Sequence, residues 1–265
     1  MSTEATLTPN AEVIWASSAD MKEVHDGAVA LVLTSPPYWP EHLTERLTSG
    51  GIKAGEFDDI CADIQRYAYS LRPVFQEIDR ILKPSGTCVI QTRDIRIAGA
   101  LVNVESIHRE LCESVGLKLV ARHYWRPQFT KKNRVSSREA MIRRGVQLPH
   151  DAETFMVFKR LNSLEIQQDA KPMNEALLAD FNVSHKGGMS KPHPHQSPLN
   201  MLEAFIETYS NPMDLVVDPF AGGGSTLKVA VKLGRDAIGY EISNEHLDRA
   251  RHNLASTLGE KAVCR

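Results

Sequence analysis

Two stretches far apart in this chain carry residue types that could do chemistry, and each follows an apolar run. The first is Thr34-Ser35-Pro36-Pro37-Tyr38 after Val29–Leu33; the second is Asp218-Pro219-Phe220-Ala221-Gly222-Gly223-Gly224-Ser225-Thr226 after Leu215-Val216-Val217. An exocyclic amine on a planar heterocycle is a poor nucleophile, because its lone pair is delocalised into the ring. Acceptors aimed at the amine protons favour a more tetrahedral nitrogen, and Ser35 Oγ and the Pro36 carbonyl could serve as such acceptors. The paired prolines leave the turn no spare donors and hold its carbonyls rigidly, so positioning costs little entropy. Tyr38 offers a ring on which a nucleobase can stack once it has left a duplex. Taken alone, the first stretch could equally be a Pro-Pro strand terminator with an incidental tyrosine.

The second stretch changes the balance. A strand, a turn of small residues and then a helix lets the backbone approach a ligand and points the helix's first amides at it. Glu241 follows Gly224 by seventeen residues at the end of the next strand, where an acid can accept hydrogen bonds from both ribose hydroxyls. The glycines do not follow the GxGxxG spacing that fits a pyrophosphate, and no Gly-Lys-Ser/Thr follows them. Asp218 at the strand end can bind a cationic amino group, which suits S-adenosylmethionine better than a pyrophosphate ligand. The two stretches together point to transfer of a methyl group onto the exocyclic amine of a DNA base.

The rest of the chain sets bounds. With 265 residues and 42% hydrophobic content it fits one large α/β domain, with or without a small insertion. The longest apolar run, Ala28–Leu33, is far short of the roughly 20 residues that cross a bilayer. Met1–Asn10 is polar and lacks the pattern of an export signal. Cys61, Cys88, Cys112 and Cys264 are scattered, as expected of reduced thiols rather than a disulfide framework or zinc site, and none sits in the Pro-Cys pair that C5 methylation needs. His123, His150, His185, His193 and His195 do not form a metal set. The net charge of −2 conceals a strip from Arg126 to Arg144 with seven basic residues (Arg126, Lys131, Lys132, Arg134, Arg138, Arg143, Arg144) against Glu139. Such a strip suits phosphate contact, although a solvated loop would look the same. Trp125 and Phe129 interleave with it and either stack on bases or brace the loop; bracing is the preferred expectation.

Seven strands are expected, near 12–17, 29–33, 87–91, 117–124, 154–158, 215–217 and 237–241. Helices are expected over Asp59–Leu82, divided or kinked at Pro73, and over Val104–Val115, Leu199–Tyr209, Ser225–Leu233 and Asn244–Leu258. The stripe Ile60, Ile64, Tyr67 and Leu71 is expected in the core. Lys83–Gly86 reads as a turn, Pro40–Phe57 as a mobile loop, and residues 160–190 are weakly patterned. Strands alternating with helices indicate a mostly parallel, doubly wound α/β sheet of Rossmann-like type.

On these residues the chain resembles the amino-directed DNA methyltransferases of bacteria and their phages, in the arrangement that puts the catalytic motif ahead of the cofactor motif. Ser35-Pro36-Pro37-Tyr38 matches the catalytic tetrad, Asp218 to Thr226 the cofactor loop, and Gly239-Tyr240-Glu241 the ribose-binding strand end. Ser18-Ala19-Asp20 resembles the segment whose acid lies near the cofactor adenine. His193-Pro194-His195-Gln196-Ser197-Pro198 resembles the stretch enclosing the methionine end, and Arg80–Gly86 a helix-to-strand turn common to methyltransferases. The resemblance implies S-adenosyl-L-methionine as cofactor, held by Asp20, Thr34, His195, Ser197, Asp218, Pro219, Phe220, Ala221, Gly222, Gly224, Ser225, Thr226 and Glu241, with no metal.

It further implies one domain over 1–265, with duplex DNA recognised by a basic loop within 126–150 and a second mobile loop at 40–57. A Ser-Pro-Pro-Tyr tetrad goes most often with N4 of a flipped cytosine, with N6 of adenine the alternative. A cytoplasmic enzyme acting at the nucleoid follows, with a homodimer and a cognate restriction endonuclease as conceivable partners. The recognition region is short for such a family. A methylase of RNA or of a protein glutamine amide, or a DNA-binding module without catalysis, would account for fewer of these features. If 29–33 and 215–217 are neighbours where strand order reverses, the motifs face each other. The first strand then follows the closing helix in space, as in a circular permutation, with the chain ends close together.

Overall fold

The computed structural model describes residues 9–39, 43, 54–97, 100–125, 146–147, 153–160, 198–258 and 263–264. A strand that is apolar at every position must be covered on both faces, and Val29–Thr34 is buried throughout. It forms β2 of a sheet that also contains β1 (Ala11–Trp15), β3 (Leu82–Thr92), β6 (Leu117–Trp125), β8 (Glu153–Arg160), β9 (Leu215–Asp218), β10 (Asp236–Glu241) and β11 (Val263–Cys264). The order is β11-β1-β10-β9-β2-β3-β8-β6. All pairs from β11 to β3 are parallel, whereas β8 runs antiparallel to β3 and β6. The seven expected strands are therefore present in a mostly parallel sheet, and two-residue β11 is added at one edge. Beside it lies a small sheet of β4 (Ile95–Ile97), β5 (Ala100–Val102) and β7 (Val146–Gln147).

Helices cover both faces: α1 (Phe57–Ser70), α2 (Arg72–Ile81), α3 (Val104–Ser114), α4 (Leu199–Tyr209), α5 (Ser225–Lys232) and α6 (Asn244–Leu258). Side chains alternate across a strand, and the core divides accordingly. Leu31, Leu33, Val89, Phe155 and Val157 pack with Phe205 and Ile206 of α4, Leu227 and Ala230 of α5, and Leu247 and Leu254 of α6. Val32, Cys88, Ile90, Met156 and Phe158 face Phe75 and Ile78 of α2 and Leu111 of α3. Ile60 and Ile64 of α1 join Leu43, Ile95, Val102 and Val104 in a smaller cluster beside the tetrad. Of the expected core stripe, Ile60, Ile64 and Leu71 are buried and Tyr67 is partly so.

The expected break at Pro73 is a full division. Pro73 falls in the first turn of α2, where its missing N–H costs nothing. Lys83–Gly86 is not a free turn between elements, since β3 already begins at Leu82. The register jumps from Val29↔Leu82 to Leu31↔Thr87, so the intervening residues are accommodated within the strand. A Cβ on Gly86 would sit 2.9 Å from the Val29 carbonyl oxygen, which demands glycine there. The Pro40–Phe57 loop lies mostly outside the described residues. Its end is ordered, with a 3-10 turn at Ala54–Glu56 and Phe57 opening α1. Residues 161–197 also lie outside the described residues. Among those described, no helix is long and apolar enough to cross a membrane.

Candidate active site

Strand order reverses between β9 and β2: β9 leads through α5 to β10 on one side, and β2 leads to β3 on the other. In an open α/β sheet the ligand crevice lies at the carboxyl ends of the strands flanking such a reversal. Both motifs sit there. Val29↔Leu215 and Val32↔Val217 are in parallel register, so Thr34 and Asp218 finish their strands side by side. Thr34 Oγ1 donates a 2.6 Å hydrogen bond to Asp218 Oδ1 across 184 residues of sequence.

The loop after β9 is held from several directions. Ala221 N donates to the Tyr240 carbonyl at 2.9 Å and Gly224 N to the Ala221 carbonyl at 2.8 Å. Gly224 has φ +73°, where a side chain would be strained, and it opens α5 without a side-chain cap. A Cβ on Gly239 would lie 2.7 Å from Ala221 Cβ, so the loop can settle on β10 only because that position is bare. Glu241 ends β10 with its carboxylate pointed back at this loop. Oε2 accepts from Gly222 N at 2.9 Å and Oε1 from Ser243 N at 2.7 Å. Each carboxylate oxygen retains acceptor capacity, so two ribose hydroxyls could still be met.

Asp218 is 5% exposed. Burial pushes its carboxyl up to about 6, and the Glu241 charge adds to this, against hydrogen bonds from Thr34, Thr226 and the Phe220 amide. Among the described residues none places a cation beside this buried carboxylate, which makes it the complement of an ammonium group. Pro219, Ala221 and Thr226 are buried around it, while Gly222 and Ser225 remain partly open.

On the other wall Ser35 is exposed, Pro36 buried and Tyr38 half-buried. Ser35 Oγ and Tyr38 Oη are 3.4 Å apart. Burial raises the Tyr38 phenol far above its ordinary range, as does the Glu153 charge, against Arg93 and Ser35. Tyr38 therefore stays neutral at any physiological pH, and what it offers the site is a ring and a neutral hydroxyl.

Asp20 is exposed, just past the end of β1, which is separated from β9 by β10 alone. His195 and Ser197 lie outside the described residues. So do Arg126, Lys131, Lys132, Arg134, Arg138, Arg143, Arg144 and Phe129. Trp125 is 4% exposed within the core, while the loop it would brace lies outside the described residues. Val146–Gln147, at the end of the basic segment, pairs with Arg96 and Ile97 of β4.

Several groups at the site carry no local sequence signal. Ile242 is 73% exposed beside Glu241, and its carbonyl accepts from Trp15 Nε1 at 3.2 Å. With Trp15 57% exposed as well, the result is an exposed apolar surface beside the end of β10, where a planar ring can lie. Arg93, Glu153, Gln91 and His108 gather behind Tyr38. Only an isolated polar residue at the end of an apolar strand hints at them.

The chain matches the DNA methylase family over residues 29–252. It is 24% identical to type II methyltransferase M.MthZI of Methanothermobacter thermautotrophicus, over 93% of this chain and 77% of that protein. It is 26% identical to type II methyltransferase M2.DpnII of Streptococcus pneumoniae, over 84% and 81%. Among solved structures, PvuII DNA methyltransferase (cytosine-N4-specific) shares the fold with a TM-score of 0.67 and 19% identity, covering 96% of this chain and 89% of that one. A putative DNA modification methylase from Thermus thermophilus, complexed with S-adenosyl-L-methionine, does so with a TM-score of 0.64 and 20% identity, covering 96% and 99%. With the tetrad and the glycine loop meeting at one strand-order reversal, and the family match spanning both, the chain belongs to the DNA methylase family.

Proposed function

We propose that the protein transfers a methyl group from S-adenosyl-L-methionine to the exocyclic N4 amine of a cytosine flipped out of duplex DNA. The observation that carries this reading is the Thr34–Asp218 hydrogen bond, which joins an amine-orienting turn to a cofactor-type loop at the carboxyl ends of two adjacent strands. The residues fit the cofactor. Asp218 supplies a buried negative charge for its ammonium group, Glu241 an acceptor pair for its ribose, and Ile242 an exposed apolar surface for its adenine. Bound there, the cofactor would supply an electrophilic methyl on a sulfonium.

Ser35 Oγ and the Pro36 carbonyl accept hydrogen bonds from the amine and pull the nitrogen toward tetrahedral geometry. The Tyr38 ring stacks on the extruded base, recovering part of the cost of unstacking it. Ser35 is exposed, so the proton lost by the amine can pass to water. The basic residues between Arg126 and Arg144 supply phosphate contacts to the duplex.

Incubating the protein with methyl-labelled S-adenosyl-L-methionine and duplex DNA, RNA or protein separates this reading from its rivals. Label should enter DNA alone. Label in RNA or protein would reassign the substrate, and no label anywhere would leave a binding module.

A further inference from the structure

We infer that Arg93 is a positioning residue for the reaction: held by Glu153, its guanidinium fixes the Tyr38 ring in the plane on which the target base stacks. The inference rests on the base-stacking role of Tyr38. Arg93 follows β3 and lies across from Glu153, since the ladder pairs Thr92 with Thr154. Its Cζ stands 5.3 Å from the centroid of the Tyr38 ring, within the range of a cation–π contact. Its Nη1 is 3.6 Å from Glu153 Oε1, with the two side chains 11% and 9% exposed. Gln91 Nε2 donates to Glu153 Oε2, on the same face of β3 as Arg93.

The chain of support thus runs from Gln91 to Glu153 to Arg93 to the ring. The His108 ring, on α3, is 6.5 Å from that of Tyr38, and its Nδ1 is 2.8 Å from Thr92 Oγ1. Burial holds His108 down to about 4, so it is neutral and brings no second cation to the ring.

A buried ion pair is a poor stabiliser, because desolvating both charges cancels most of their attraction. What it does well is hold one geometry. Tyr38 follows a turn with two prolines and is only half-buried, so its ring needs a fixed neighbour if a base is to stack in one orientation. The Arg93 side chain is only 11% exposed, which favours an effect through the Tyr38 ring over direct contact with substrate.

The test uses the full chain, unmethylated plasmid DNA and methyl-labelled S-adenosyl-L-methionine. Arg93→Met should lower kcat about tenfold, the scale of a desolvated cation–π contact, with the cofactor Kd and the KM for DNA changed less than about twofold. Arg93→Lys, which keeps a cation over the ring, should recover most of the loss. In a Tyr38→Ala background Arg93→Met should change kcat by less than about twofold, because there is no ring left to position. An equal loss in both backgrounds, or wild-type kcat in Arg93→Met, would overturn the assignment. If Arg93→Met melts early, Glu153→Gln releases Arg93 while keeping the side-chain volume, and the same cycle with Tyr38→Ala decides. Absence of methyl transfer by the wild type would remove the stacking role and this inference with it. Full transfer by Arg93→Met would remove the inference alone.

Discussion

In the proposed reaction two residues carry different tasks, and each is testable alone. On the proposed reading Ser35 Oγ accepts a hydrogen bond from the target amine, so Ser35→Ala should lower kcat by about 100-fold, the usual cost of losing one preorganised hydrogen-bonding group at the reacting atoms, while cofactor affinity by calorimetry stays nearly unchanged. Asp218 is proposed to bind the cofactor rather than to react. Its carboxyl rises from 3.8 to about 6 on folding, so as pH climbs the folded state must release a proton that the unfolded chain has already lost. That difference is absent in strong acid, where both states are protonated, and costs stability above about pH 6, by about 3 kcal/mol. An ammonium beside the carboxylate offsets this cost. S-adenosyl-L-methionine should therefore raise Tm more at pH 7.5 than at pH 5, and Asp218→Asn should weaken binding and flatten that difference. An equal shift at both pH values in the wild type would remove Asp218 from the cofactor site. Ser35 and Asp218 were legible because rigid prolines and glycines adjoin them in sequence. Arg93, Glu153 and His108 were not, since each acquires its meaning from a partner on a different strand or helix.

At the scale of elements, the meeting of β2 with β9 depends on what each loop will tolerate behind it. Gly239 is the tightest point, and Gly239→Ala would drive a Cβ to 2.7 Å from Ala221 and 2.9 Å from Leu227. Such overpacking should cost about 1–3 kcal/mol in denaturant unfolding and weaken cofactor binding through the displaced loop; an unchanged midpoint would show that β10 can yield. Strong periodicity made the elements that form this edge readable, and α4 and α6 begin and end where their patterns do. Three-residue strands such as β4 and β5 hold too few positions to show a period, which hid the small sheet. Lys83–Gly86 has the chemistry of a turn, while its backbone is absorbed into β3 by a register jump, which no local sequence signal shows.

Across the whole molecule, β1 lies between β10 and β11, so the first strand follows the last helix in space, as the permuted order requires. That order was readable only through the family resemblance, because no local signal says which distant strands pair. The charge distribution was readable directly, as the strip from Arg126 to Arg144 departs so far from the rest of the chain. Lys131→Ala with Lys132→Ala should weaken duplex binding and reduce the slope of log K against log salt by roughly one to two; an unchanged slope would free the strip from phosphate contact. Whether the methyl group reaches cytosine N4 is decided by treating duplex DNA with the purified protein, digesting it to nucleosides and identifying the product by mass. The expected product is N4-methyl-2′-deoxycytidine. N6-methyl-2′-deoxyadenosine would contradict the choice of base, and unmodified nucleosides would contradict methyl transfer itself.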